Sequence, residues 1–307
     1  MPTDPHATVF GLGAGRDGHH RARHRRVRRL RAFTALLLGA GVVAGGVYFA
    51  ERYFDASQTL VRERCTAVVG SSEHELAPDQ AANAALITAV SIDRGLPARA
   101  ATIGIATAVQ ESKLRNIDYG DTAGPDSRGL FQQRPSQGWG TQAQVMDPVY
   151  AANRFYQELE TFDFASMEVT DAAQKVQRSA YPLAYADHEP EGRAYASALT
   201  GHSPAALNCV LRRTTAAGDA SAVREELLAH FGDGLQVEAS GRTIEVTAGQ
   251  PLGWAVAQWA VAHASAQQGV SVAHSGLVWN RAEDRWVPAP TTDGKVLITV
   301  AEGADEG

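Results

Sequence analysis

The stretch Ala32–Ala50 (AFTALLLGAGVVAGGVYFA) runs for 19 residues without a charge and follows directly on a cluster of arginines. No other feature constrains the chain as strongly. As a helix rising about 1.5 Å per residue it reaches roughly 28 Å, close to a hydrocarbon core of about 30 Å. Four glycines (Gly39, Gly41, Gly45, Gly46) would weaken such a helix in water, but lipid makes internal backbone hydrogen bonding compulsory and tolerates them. Residues 1–31 hold eight arginines against Asp4 and Asp17, a net +6 in a chain of formal charge −6, so residues 32–307 carry −12. The expectation is a single transmembrane helix over residues 32–50, with residues 1–31 as a basic cytoplasmic tail and residues 51–307 outside the cytoplasm. A signal peptide cleaved near Ala44-Gly45-Gly46 is the alternative; the long basic segment and the length of the span favour an uncleaved anchor. A basic run can also mark a nucleic-acid patch. Here it abuts an apolar span and the body beyond it is acidic, so no nucleic-acid partner is expected.

The remaining residues have the composition of folded domains. With 44% hydrophobic and 20% charged residues the chain is unlike a disordered one, and two cysteines exclude a disulfide-dense scaffold. Cys65 and Cys209 bracket one block of sequence. Outside the cytosol such a pair reads as a bridge tying the two ends of a domain, the alternative being two unrelated buried thiols. Too few sulfurs and no paired histidine spacing argue against zinc. No metal ligand and no cofactor is expected.

Periodicity and punctuation divide the exported part. Residues 51–78 read as a tether. From Pro78-Asp79 the apolar spacing turns helical through Ala82, Ala85, Leu86, Ala89 and Val90, ending at Gly95 and Pro97. A second helix is expected from about Ala98 to Ser112, and residues 113–146 are rich in glycine and proline. Asp147-Pro148 is a good helix start, with Ala151, Phe155 and Leu159 on one stripe. Further helices are expected at Thr170–Ser179 and Glu189–Thr200, giving a helical domain over 79–211. Residues 212–221 (RRTTAAGDAS) read as a linker. Residues 222–307 then read as a small α+β module: a helix over Val223–Phe231, strands at Gln236–Glu238 and Thr243–Thr247, a helix over Leu252–Gln267, a hairpin through Ser275-Gly276 and a last strand at Val296–Val300. The expected class is mainly α: a transmembrane helix, a helical domain and a small C-terminal α+β domain.

Residues 110–140 carry the densest set of chemically useful side chains. Glu111 falls in the last turn of its helix, where the negative end of the macrodipole and nearby apolar groups would raise its pKa toward that of a general acid. Ser112 follows, and 18 residues after Glu111 stands Gly129-Leu130-Phe131-Gln132-Gln133. Between them lie Asp118, Asp121 and Asp126; beyond them is Trp139.

Helix-end Glu111-Ser112 followed by Gly129-Leu130-Phe131-Gln132-Gln133 resembles the paired signature of the goose-type lysozyme and soluble lytic transglycosylase superfamily, nearest to its membrane-anchored actinobacterial members. The likeness covers about residues 79–200. It implies a lysozyme-like helical domain, peptidoglycan as substrate, and Glu111 as the acid that protonates the glycosidic oxygen. In transglycosylases the muramyl 6-hydroxyl then attacks and no second carboxylate is needed. In goose-type lysozymes acidic residues of a Gly-Asp segment position water; Tyr119-Gly120-Asp121 resembles that segment, making Asp121 the first candidate base, with Asp118 and Asp126 behind it. Ser112, Tyr119, Gly129, Leu130, Phe131, Gln132, Gln133 and Trp139 are the implied substrate-binding residues, the glutamines toward acetamido groups and the aromatics toward sugar faces. The superfamily's later Tyr-Asn-x-Gly segment is missing. In its place stand Ala173–Ser179 and then Tyr181-Pro182, so Tyr181, or Tyr185, is the candidate to fill the tyrosine's position. The expected activity is a membrane-anchored peptidoglycan glycosidase, the alternative a non-catalytic wall-binding or scaffold protein. The C-terminal module faintly resembles modules appended to actinobacterial wall proteins and is expected to meet an envelope protein partner.

Overall fold

The computed structural model describes residues 33–34, 36–37, 39–50, 61–122, 124–179, 183–283 and 285–304. The chain divides into two compact units, Met1–Leu60 and Val61–Gly307. In the first, the described residues 33–34, 36–37 and 39–50 are helical (α1), and the Val42, Val43 and Phe49 side chains stand exposed. Among the described residues no helix is long and apolar enough to cross a membrane, which corrects the expected transmembrane helix over 32–50. Residues 32, 35 and 38 of that stretch, and the basic tail 1–31, lie outside the described residues.

The expected mainly α class is also corrected, because the second unit contains nine strands in two sheets among its described residues. Strand β1 (Arg64–Val69) pairs antiparallel with β2 (Ser72–Leu76) and with β3 (Leu207–Val210). The β1–β2 turn uses Gly70 at φ +62°, a conformation that costs glycine nothing. Alternation along β1 sends Cys65 and Ala67 into the core. In this register Cys65 lies opposite Cys209, and the two form a disulfide. Residues 64–76, part of the stretch read from sequence as a tether, are therefore the first hairpin of the fold.

Inside that covalent loop lie α2 (Pro78–Asp93), α3 (Ala98–Ser112), the short α4 (Gln142–Val145), α5 (Pro148–Leu159), α6 (Val169–Gln177) and α7 (Glu189–Leu199). The local signals behave as expected at α5. Asp147 Oδ1 accepts from the Val149 and Tyr150 N–H groups, and Pro148 occupies the first turn where no donor is needed. Helix α3 is the centre of this layer, and two glycines let its neighbours approach. A Cβ on Gly104 would sit 2.6 Å from the Tyr156 hydroxyl, which donates to Ile87 O at 3.0 Å. A Cβ on Gly192 of α7 would sit 2.9 Å from Thr102 O.

Helix α8 (Ala220–Phe231) opens the C-terminal part. Strands β4 (Gln236–Ser240), β5 (Thr243–Thr247), β6 (Gly269–His274), β7 (Leu277–Asn280), β8 (Trp286–Pro288) and β9 (Lys295–Val300) form a sheet in the order β4-β5-β9-β6-β7-β8, all neighbours antiparallel. Helix α9 (Leu252–His263) is apolar nearly all round, and every residue from Gly253 to His263 is buried. A helix of that kind needs cover on all sides. It finds the sheet on one side and α2, α7 and β3 on the other. Gln258, fully buried in α9, donates to Ala198 O at 2.6 Å and accepts from Leu207 N–H at 2.7 Å, so its amide is satisfied by the helical part. The stretch read as a linker is likewise tied down: Arg281 donates to Arg212 O, Thr215 N–H to Gln268 Oε1 at 2.8 Å and Gly218 N–H to Ala301 O at 2.9 Å.

The disulfide closes a sequence separation of 144 residues. Replacing both cysteines by alanine is expected to lower the unfolding free energy by about 4–5 kcal/mol, the chain-entropy value for a loop of that length. Denaturant titration of the full chain checks this, with the midpoint of the double variant well below that of the oxidised protein.

Candidate active site

Helix α3 ends at Ser112, and the chain reverses through Lys113 and Leu114, both at positive φ (56° and 55°). This reversal leaves Glu111 on the last turn, at the edge of a cleft of about 510 Å³. The Ser112 hydroxyl points the other way and donates to Leu130 O at 2.7 Å, pegging the helix end to the loop that faces it.

That loop is a tight hairpin. Arg128 and Gln133 exchange backbone hydrogen bonds (3.0 and 2.9 Å) around Gly129-Leu130-Phe131-Gln132. Gly129 has φ +78°, and a Cβ there would lie 2.1 Å from Val145 O, so only glycine fits. Leu130 and Phe131 are completely buried, and Phe131 stacks on Phe155 with centroids 4.6 Å apart. These two side chains, Gly129 and Ser112, all expected against substrate, instead anchor the hairpin behind the cleft. Gln132 lines the cleft at φ +47°, its amide donating to Gly129 O at 3.2 Å. Gln133 also borders it but is 2% exposed and donates to Ala151 O at 2.9 Å, which ties the hairpin to α5.

The opposite wall comes from residues 117–139. Tyr119 is 65% exposed and lines the cleft. Gly120 allows Gly124 O to approach to a position 1.9 Å from where a Cβ would stand. Asp121 also lines the cleft, and its Oδ1 accepts from Gly124 N–H at 2.7 Å, so the carboxylate closes a turn as well as facing the site. Asp126, a reserve candidate for a base, is bound otherwise. The Ser136 hydroxyl and N–H, together with the Arg134 guanidinium, hold its pKa far below the usual carboxylate range. It therefore pins the loop. Trp139 is half-buried, lines the cleft, and carries the Arg154 guanidinium 5.2 Å from its ring centroid. Asp118 is not among the residues lining the cleft. Tyr181 lies outside the described residues.

The electrostatics centre on Glu111. Burial is the largest cause and raises its pKa; the like charge of Asp121 adds to this, while the side chains of Tyr185 and Gln177 work against it. Burial is thus the main influence, partly offset by the two hydrogen-bonding side chains, with Asp121 a smaller contribution. Tyr185 is fully buried and donates its hydroxyl to Glu111 Oε1 at 2.7 Å. Gln177, at the end of α6, donates to Phe131 O at 2.9 Å and faces the same cleft. Sequence reasoning singled out Tyr185 only as a stand-in for the missing tyrosine and overlooked Gln177. Each lies more than sixty residues beyond Glu111, and no local pattern joins them to it.

A second titratable cluster lies in the C-terminal part. Glu226, His230 and His263 offer ligand atoms that all lie within 4.8 Å of one another. The tautomer of His230 resists a metal, however. Trp259 Nε1–H donates to His230 Nδ1 at 3.0 Å, so the neutral ring carries its proton on Nε2, where a metal would have to bind. A ligating histidine ordinarily donates from its other nitrogen. His263 Nδ1 bonds Trp259 O at 2.9 Å, which leaves its Nε2 toward Glu226 Oε1 at 3.8 Å. Burial lowers both histidine pKa values, that of His230 to about 3. No protein-family model matches the chain, and a search of curated proteins finds no match either.

Two stability measurements follow from these groups. The raised pKa of Glu111 means that the folded state resists ionisation more than the unfolded chain, so stability is lost as pH rises through and above the ordinary value of 4.5. Glu111→Gln, which keeps an acceptor for Tyr185, is expected to raise Tm at pH 7, with the gain vanishing below pH 4 in a thermal melt series. His230 works with the opposite sign. Its neutral folded form loses stability as pH falls from the ordinary 6.5 toward about 3. His230→Asn, which still accepts from Trp259 and cannot become cationic, is expected to flatten the fall in Tm between pH 7 and pH 4.

Proposed function

We propose that this chain is a glycosidase of the cell envelope that cleaves the glycan strands of peptidoglycan outside the cytoplasm, with Glu111 as general acid. One observation carries the reading: a carboxyl group biased toward its protonated form by burial, at the rim of a polar cleft, with Oε1 fixed by the Tyr185 hydroxyl at 2.7 Å. A general acid needs a raised pKa and a fixed direction for its proton, and it needs both where the leaving oxygen can reach it. The resemblance of Glu111-Ser112 and Gly129–Gln133 to the goose-type lysozyme and lytic transglycosylase signature supports the substrate class. The Cys65–Cys209 disulfide supports an oxidising compartment.

The remaining roles follow from what lines the cleft. Tyr119 and Trp139 offer faces on which a sugar ring stacks, and Gln132 offers an amide for an acetamido group. The chemistry divides at the nucleophile. If water attacks, Asp121 is the base, and the carboxyl separation such a mechanism uses is about 6.5–9.5 Å. If the muramyl 6-hydroxyl attacks, Glu111 suffices, first as acid and then as base.

Digestion of purified cell wall by the full chain, read by mass spectrometry, tests the reading. Release of soluble muropeptides is expected, with 1,6-anhydro ends marking transglycosylation and reducing ends marking hydrolysis. Glu111→Gln is expected to lower release by roughly 10²–10⁴-fold, the usual contribution of one acid–base group. Retention on insoluble wall with no release by the wild type would overturn the enzyme reading in favour of a wall-binding scaffold.

A further inference from the structure

The cleft holds two arginines, and they are placed differently. Arg134 is paired with Asp126 at 2.9 Å and serves the loop. Arg178 follows the last residue of α6, next to Gln177, and also lines the cleft. It is exposed, and among the described residues no carboxylate pairs with it. Its backbone is at φ 53°, ψ 36°, the left-handed cap position that glycine and asparagine fill most easily. Stability alone would therefore favour a different residue there. The groups acting on Glu111 are Tyr185, Gln177 and Asp121. The Arg178 charge is not among them, so it leaves the acid unquenched while standing in the same cleft.

An arginine at the wall of a cleft with no carboxylate of its own presents a fork of N–H donors matched to a planar anion, above all a carboxylate. Glycan strands of peptidoglycan carry one on every second sugar, the lactyl carboxyl of the muramyl residue, when no peptide is attached. Strands of N-acetylglucosamine alone carry none. We infer that Arg178 is a specificity-determining residue that recognises a carboxylate on the sugar next to the scissile bond, so that the cleft selects muramyl strands with an unamidated lactyl group. This rests on the glycan-cleaving reading above and adds to it the charge that the substrate must bear.

The test uses the full chain carrying Glu111→Gln, so that no turnover occurs, and titrates three tetrasaccharides by calorimetry at low salt. These are alternating N-acetylglucosamine and N-acetylmuramic acid with free lactyl carboxylates, the same sugar with lactyl carboxamides, and chitotetraose. The acid is expected to bind about tenfold tighter than its carboxamide, the scale of one charge-assisted contact. Arg178→Asn, which suits the left-handed backbone and so should fold, is expected to bring that ratio close to one. Arg178→Lys, with charge but no fork, is expected to give an intermediate ratio. Equal binding of acid and carboxamide by the Arg178 protein, or an undiminished ratio in Arg178→Asn, would overturn the inference and leave the glycan reading standing. Failure to bind any of the three sugars would overturn both.

Discussion

The buried amide of Gln258 joins what the sequence separates. Helix α9 is apolar on every face, so it cannot stand at a surface; it must be enclosed. The C-terminal sheet covers only one side. The other side needs α2, α7 and β3, and Gln258 makes that contact specific by bonding Ala198 O and Leu207 N–H inside the joint core. Leaving such a group unpaired costs about 1–3 kcal/mol, so a loosely docked module would be penalised at this position. The two parts read as domain and appendage consequently share one core, and the residues between them are laid along the sheet by Arg281, Gln268 and Ala301.

That constraint reaches the cleft through α7. Once Gln258 fixes the C-terminal end of α7, Gly192 brings the same helix against α3 at a distance no side chain would permit. The residues just before α7 then fall beside the end of α3. His188 bonds Gln110 at 3.0 Å and Tyr185 bonds Glu111 at 2.7 Å. Burying a carboxyl is unfavourable unless its oxygens find donors. The Tyr185 hydroxyl offsets part of that cost while leaving the pKa raised, which is the compromise an acid catalyst requires.

Most of the helices are legible because their signals are local. Asp147-Pro148 states where α5 begins, and the glycine and proline after α2 state where it ends. The small strands were legible only in part. In β1 and β2 the alternation is short, and their stability comes from β3, more than 130 residues away, so nothing nearby distinguishes them from a tether. The apolar run 32–50 shows the reverse failure: hydropathy and a basic flank imply a spanning helix, yet no helix among the described residues is long and apolar enough to cross a membrane. Within the site, Glu111, Gln132, Tyr119, Asp121 and Trp139 were recognisable as chemistry-bearing residues and do share one cleft. Leu130 and Phe131 were not recognisable as core, because a short signature carries no record of which way its side chains face. The pairing of Glu226, His230 and His263 was hidden for a similar reason: the first two share a helix face, but the third arrives on α9.

Every group that sets the state of Glu111 lies inside the loop closed by Cys65 and Cys209. Tyr185 is 74 residues from the carboxyl it bonds, and Gln177 is 46 residues from the carbonyl it supports. Contacts of that range are the first to be lost when a chain gains freedom, because each must repay the entropy of closing its own loop. The disulfide removes part of that entropy from the unfolded chain, and the short β1–β3 ladder keeps the ends of the loop in register. The acidity of Glu111 is therefore a property of the closed chain as a whole: a helix end supplies the carboxyl, and a covalent tie made far from the cleft helps to hold the walls that bury it.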